Sequence, residues 1–204
     1  MKRTTFVLIF LFFSVAGYSQ NLDIRILRSV YNPEDLAADP FFRFTSNSEV
    51  YVVAAVPAGV AVAGLIRNDK DMLREAAVMA AGEAVNELLK LGLKYTVNRD
   101  RPFETYTDII QKVPVGGPSF PSGHTSSAFE TATSLTLAYP KWYVIVPSYA
   151  WAGTVAYSRM HLGVHYPSDV LAGAVIGSGS AFLTYKINQK LNAVHRHKAC
   201  NCPK

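Results

Sequence analysis

Five apolar stretches of helical length, 50–66, 71–93, 124–139, 142–157 and 168–187, occupy most of this chain after residue 49. Charged residues collect mainly between them. Ala, Leu and Gly dominate the stretches and no hairpin turn separates alternating runs, so strand signals are poor. The pattern predicts an all-α fold, a helical bundle of about five core helices over 49–187. Pro57 is the one breaker within 50–66, Asp71 stands near the start of 71–93, and Pro140-Lys141 makes a tight connection between two helices. Residues 103–121 follow Pro102 and hold Pro114, Gly116, Gly117, Pro118 and Pro121, so they read as a loop.

The flanking segments differ in kind. Residues 1–19 read as an export signal: Lys2 and Arg3 form a basic start, Phe6–Phe13 an apolar run, and Gly17 and Ser19 a small-residue cleavage point before Gln20. The competing reading is an uncleaved anchor of the same orientation. Residues 20–48 carry short apolar clusters around Ile24–Val30 and Phe41–Phe44, broken by Pro33 and Pro40. They read as one or two amphipathic helices lying on an outer surface. The tail, 188–204, closes a stretch from Lys186 to Lys204 with five Lys or Arg and no acid. Elsewhere acids and bases nearly cancel, so the pI near 9.2 does not reflect a nucleic-acid patch. Cys200 and Cys202, the two cysteines, both lie in this tail and cannot cross-link the body. With His195 and His197 they match no closed zinc pattern, and a solvated tail is the reading adopted.

The bundle fits a membrane. Tyr51, Tyr95, Tyr139, Trp142, Tyr143, Tyr157 and Tyr185 fall at expected helix ends, as in an aromatic belt. Stretches of 16–17 residues reach about 25 Å, slightly short of a hydrocarbon core. Glu83, with Glu75, Asn86 and Glu87 nearby, would have to face the bundle or a polar cavity. A soluble exported bundle is the alternative.

Three charged patches interrupt the helices. Lys94 to Pro102 ends the 71–93 stretch, Pro121-Ser122-Gly123-His124 opens the next helix, and Ser158-Arg159 to His165 and Asp169 joins the last two. Together they supply what phosphoryl transfer needs. Lys94, Arg101 and Arg159 provide fixed positive charge for a transition state whose charge spreads over three oxygens. Ser122 and Gly123 place free amides and the helix dipole where an anion can sit. Of His124 and His165, one can attack phosphorus and the other protonate the leaving oxygen. Asp169, four residues after His165, can turn back to fix its tautomer. Singly, each residue has an ordinary role as interfacial anchor, cap or surface group. His161 matches nothing in this scheme.

These patches resemble the three signature motifs of the type 2 phosphatidic acid phosphatase superfamily, K-x6-RP, PSGH and SR-x5-H-x3-D, without substitution. That group includes lipid phosphate phosphatases, bacterial class A acid phosphatases and vanadium haloperoxidases. The resemblance covers about 94–187 and implies an all-α bundle. It implies that Lys94, Arg101, Arg159, Ser122 and the Gly123 amide bind phosphate. It also implies that His124 is the acid, His165 the nucleophile and Asp169 its partner. No cofactor or metal is expected, and vanadate is expected to inhibit. The N-terminal region departs from six-span lipid phosphatases, the first span being replaced by the signal and amphipathic segments.

The expected activity is hydrolysis of a phosphomonoester or diphosphate of a membrane lipid through a phosphohistidine, at the outer face of a bacterial-type inner membrane. Phosphatidic acid, phosphatidylglycerol phosphate, undecaprenyl diphosphate and lipid A phosphates are candidate substrates. A soluble periplasmic acid phosphatase and a non-catalytic lipid carrier are the rivals. With 20–48 outside, alternate crossings bring all three motifs to the outer face and leave the basic tail inside, as the positive-inside rule expects.

Overall fold

A computed structural model describes residues 21–200, with side chains described to Ala193. The expected export signal at 1–19, the side chains of His195, His197 and Cys200, and Cys202 lie outside the described residues. Seven helices follow in order: α1 over 21–30, then α2 (Asp39–Arg67), α3 (Lys70–Val97), α4 (Pro102–Thr105), α5 (Gly123–Ala138), α6 (Trp142–His161) and α7 (Pro167–Cys200). No strand occurs among the described residues. The all-α bundle is as expected, with α2, α3, α5, α6 and α7 as its core.

The boundaries depart from expectation where a single residue was read as a breaker. Helix α2 begins at Asp39, eleven residues ahead of the expected span, and passes through Pro57. Pro40 falls in its first turn, where a proline's missing N–H costs nothing, so it starts the helix. Asn68 ends α2 in the left-handed conformation, and the Asp69 side chain accepts from the Asp71 and Met72 amides to start α3. That exchange of caps makes the expected turn at 67–71. Helix α3 runs on to Val97 and α6 to His161, so Lys94 and Arg159 stand on last turns. Helix α7 continues beyond 187 into the expected tail.

Helix α5 is the central element, packed on α7, α6, α3 and α2. Its contact faces are small: Ala128 and Ala132 pack with Ala152 and Val155 of α6. A methyl added at Gly177 of α7 would lie 2.0 Å from the Ser126 carbonyl, and one at Gly173 2.6 Å from the Ser122 carbonyl. Glycines thus let α7 and α5 touch backbone to backbone. Glu83 turns inward, accepting from Ser127 Oγ at 2.5 Å and Asn86 Nδ2 at 3.1 Å.

Two described helices, Asp39–Arg67 and Pro167–Ala193, are long and apolar enough to cross a membrane. Most of their apolar residues face away from the bundle. Helix α1 instead packs by Ile24 and Leu27, with Tyr31 just after it, against Ile109 and Tyr166, closing over the 106–121 loop.

Candidate active site

One end of the bundle gathers every residue singled out from the sequence: the last turns of α3 and α6, the first turns of α5 and α7, and the intervening loops.

Arg101, His165 and Asp169 are in mutual reach. Arg101 is buried and donates from Nε to the Gly117 carbonyl at 2.9 Å, from Nη2 to Gly116 at 3.0 Å and from Nη1 to Val164 at 2.9 Å. Its Nη1 stands 3.4 Å from His165 Nε2. The other ring nitrogen, Nδ1, faces Asp169 Oδ2 at 3.6 Å. That carboxylate is fully buried and held from several directions. Ser119 Oγ donates to Oδ2 at 2.5 Å, the Tyr166 amide at 3.0 Å, and Arg99 Nη1 to Oδ1 at 2.7 Å. Ser119 Oγ also lies 3.5 Å from His165 Nδ1, between the two members of the pair.

Burial is the largest influence on His165 and pushes its pKa down to about 4. Asp169 opposes that shift, and Arg159 and Arg101 reinforce it. The ring is therefore neutral at ordinary pH. With the carboxylate facing Nδ1, the proton belongs on Nδ1 and the lone pair on Nε2. Burial also works against the Arg99 charge, but Asp169 and Asp23 outweigh it and raise its pKa.

The remaining candidate residues lie around the same end of the bundle. The buried Ser122 precedes α5 and its amide donates to the Asp169 carbonyl at 3.0 Å. This bond ties the first turn of α5 to that of α7. Its Oγ lies 2.9 Å from Thr125 Oγ1. Open space surrounds the position a side chain would take at Gly123. Lys94 Nζ donates to the Pro118 carbonyl at 3.3 Å, so Lys94 and Arg101 both grip the 116–118 segment. Arg159 is buried, donates from Nη1 to Ser46 Oγ, and has a buried Nε without a partner. Lys94, Gly123 and His124 line a cavity of about 600 Å³ between α2, α3 and α5, together with Glu49, Glu83 and Lys90. Val50, Val53, Ala54 and Pro57 extend that cavity along α2. His124 Nε2 stands 3.9 Å from Glu49 Oε2.

His161 belongs elsewhere: its Nε2 is 2.9 Å from Asp39 Oδ1, and its ring lies against Phe42. Among the described residues no group of three or more His, Cys, Asp or Glu is placed to share a metal ion. The sequence reading missed Arg99, Ser119, Asp23, Glu49 and Ser46. Arg99 had a signal, a second arginine two positions before Arg101. The others had none, because each meets its partner only through the fold.

This arrangement defines a class. The family model of the PAP2 superfamily matches residues 73–193, more than half of the chain, and the chain belongs to that superfamily. It is 36% identical over 96 residues to a lipid A 4'-phosphatase of Bacteroides thetaiotaomicron, covering 47% of this chain and 43% of that one. It is 38% identical over 96 residues to an undecaprenyl-diphosphatase of Sulfolobus acidocaldarius, covering 46% of each. These matches span less than half the length of either relative. Among solved structures, Aquifex aeolicus LpxE superposes with a TM-score of 0.70 at 26% identity, over 81% of this chain and 95% of the other. A transmembrane PAP2 type phosphatidylglycerolphosphate phosphatase from Bacillus subtilis has the same fold, with a TM-score of 0.67 at 24% identity over 92% and 96%.

Proposed function

We propose that this chain is a metal-independent phosphatase acting on a membrane lipid phosphate or diphosphate through a phosphohistidine. The observation that carries the reading is the state of His165. It is buried and neutral, with Nδ1 toward a buried carboxylate and Nε2 beside the Arg101 guanidinium.

In this mechanism His165 Nε2 attacks phosphorus, forming a P–N bond as the P–O bond to the leaving group breaks. Asp169 holds the ring and stabilises the imidazolium that develops. Lys94, Arg101, Arg159 and the Gly123 amide receive the oxygens, the unpartnered Arg159 Nε among the donors. His124, protonated with the negatively charged substrate phosphate bound beside it, gives its proton to the leaving oxygen. It then takes one from a water that attacks phosphorus, breaking the P–N bond and releasing inorganic phosphate.

The lipid class is supported by the apolar cavity wall along α2 beside His124 and by the outward apolar faces of α2 and α7. The names of the relatives point the same way. The site then faces the outer side of a bacterial-type inner membrane. The test is phosphate release by purified protein in detergent from undecaprenyl diphosphate, phosphatidylglycerol phosphate, phosphatidic acid and lipid A phosphates. Turnover of at least one is expected and should vanish in His165→Ala. Turnover of water-soluble phosphomonoesters with none of the lipids would overturn the lipid assignment.

A further inference from the structure

Helix α1 lies well ahead of residues 73–193, yet one of its side chains enters the cluster behind His165. Asp23 is 5% exposed. Its Oδ2 accepts from Arg99 Nη2 at 2.8 Å and from Ser168 Oγ, and its Oδ1 accepts from the Ser168 amide at 2.9 Å. The last bond satisfies one of the free amides at the start of α7, the turn that also carries Asp169. Arg99 spans the two carboxylates, with Nη2 on Asp23 and Nη1 on Asp169 Oδ1 at 2.7 Å.

From this geometry we infer that Asp23 is a positioning residue for the hydrolytic reaction, acting through Arg99 and Ser168 on Asp169 and so on His165. The inference rests on the reading of His165 as nucleophile. The guanidinium is a planar fork that stacks on the Tyr166 ring at 3.8 Å and bonds Ser168 Oγ and Asp169 through Nη1. Asp23 is the carboxylate that holds its Nη2 edge and so sets how the fork meets Asp169. Asp23 also divides the Arg99 charge. Without it, that charge falls wholly on Asp169 and competes with the developing His165 imidazolium for the same carboxylate. Among the described residues Asp23 hydrogen-bonds Arg99 and Ser168 and none of Lys94, Arg101, Ser122, Gly123, His124 or Arg159, so its loss should spare phosphate binding.

Purified Asp23→Ala, Arg99→Ala and the double variant decide the matter, assayed on whichever lipid phosphate the wild type turns over. Asp23→Ala should lower kcat roughly 10- to 100-fold, the range seen when a partner that orients a functional group is removed. KM should stay within about twofold. In the Arg99→Ala background the same change should cost clearly less, under about threefold, because only the contacts with Ser168 remain to be lost. Should Asp23→Ala fail to fold, Asp23→Asn keeps the shape and an oxygen for Ser168 while removing the charge, and is judged by the same criteria. Wild-type kcat in the Asp23 variant, or an equal further loss in the Arg99→Ala background, overturns the inference. An active His165→Ala enzyme would instead overturn the reading of the site itself. A dead His165→Ala beside a fully active Asp23 variant removes only the role given to Asp23.

Discussion

Burial pushes the His165 pKa well below that of an ordinary histidine, and in the proposed mechanism the protonation of this ring sets the response to acid. Above about pH 4 the ring keeps its lone pair; below that Nε2, the attacking nitrogen of the proposed mechanism, carries a proton. Once substrate ionisation is divided out, the acid limb of kcat/KM should therefore fall near pH 4, and a limb near the unperturbed ~6.5 would contradict a buried neutral nucleophile. The sign for stability follows. Between about 6.5 and 4 the unfolded chain binds a proton that the folded chain does not, so this group makes stability decline as pH falls through that window and level off below it. His165→Ala should lose roughly 10³-fold or more in turnover. His124→Ala should lose about 10²- to 10⁴-fold on esters with poor leaving groups and far less on nitrophenyl phosphate, whose leaving group needs no proton; equal losses on both would deny it the acid role. In the proposed mechanism Lys94, Arg101 and Arg159 supply the positive charge a metal would otherwise provide, so full activity is expected in excess chelator, with vanadate inhibiting. Activity lost in chelator and restored by magnesium would refute this. These residues were legible because charge, glycine and histidine at fixed spacing mark phosphate chemistry. Asp23 and Glu49 were not, since a lone carboxylate in an amphipathic segment looks the same whether it faces solvent or Arg99.

At the scale of elements, the site depends on how closely α7 approaches α5. Ser122 and Asp169 are joined amide to carbonyl across that contact, and Gly173 and Gly177 permit it. A methyl at Gly177 would meet the Ser126 carbonyl at 2.0 Å and the Glu130 amide at 2.9 Å. Neither is the end of a flexible side chain, so the helices themselves must part. Gly177→Ala should destabilise by about 3 kcal/mol or more and reduce activity at temperatures where the protein remains folded. Gly179 has nothing within 4 Å of the added carbon, so Gly179→Ala should be neutral or stabilise by up to about 1 kcal/mol. Thermal unfolding of both in detergent checks the pair, and equal shifts would mean the α5–α7 contact is not glycine-limited. The five core helices were readable from their apolar lengths and from the poverty of strand signals. Their ends were harder. Charge at 94–102 and 158–169 suggested loops, but Lys94 and Arg159 close helices, where cationic residues complement the dipole. Pro40 suggested a break where it marks a start. That a helix at 21–30 covers the loop had no sequence signal, because Ile24, Leu27 and Tyr31 would form the same stripe on a membrane surface.

The whole molecule has two unlike ends, and a membrane would orient it. All the site residues lie at one end, with Arg67–Asp71 and Pro140-Lys141 at the other. Between them α2 and α7 present exposed apolar residues. On α7 the exposed Leu171, Val175, Phe182, Leu183, Ile187 and Leu191 cover twenty residues of helix, about 30 Å and the depth of a hydrocarbon core. On α2 exposed apolar residues run from Val50 to Ile66, about 24 Å. Orientation follows from charge. The strongly basic stretch from Lys186 to Lys204 begins on the part of α7 far from the site, and by the positive-inside rule it is expected on the cytoplasmic side. In the proposed topology the site opens outward, and a lipid phosphate held by its tail would present its phosphate at the outer surface. A reporter active only in the cytoplasm should be on when fused after Lys204 and off when fused to a chain ending at Gly116, in the outer loop gripped by Arg101. The protein should also stay with membranes through a high-salt wash, because apolar contact of this extent does not depend on screened charges. A silent reporter after Lys204, or release of the protein by salt alone, would favour a soluble exported bundle and would make its outward apolar faces a surface for some other contact.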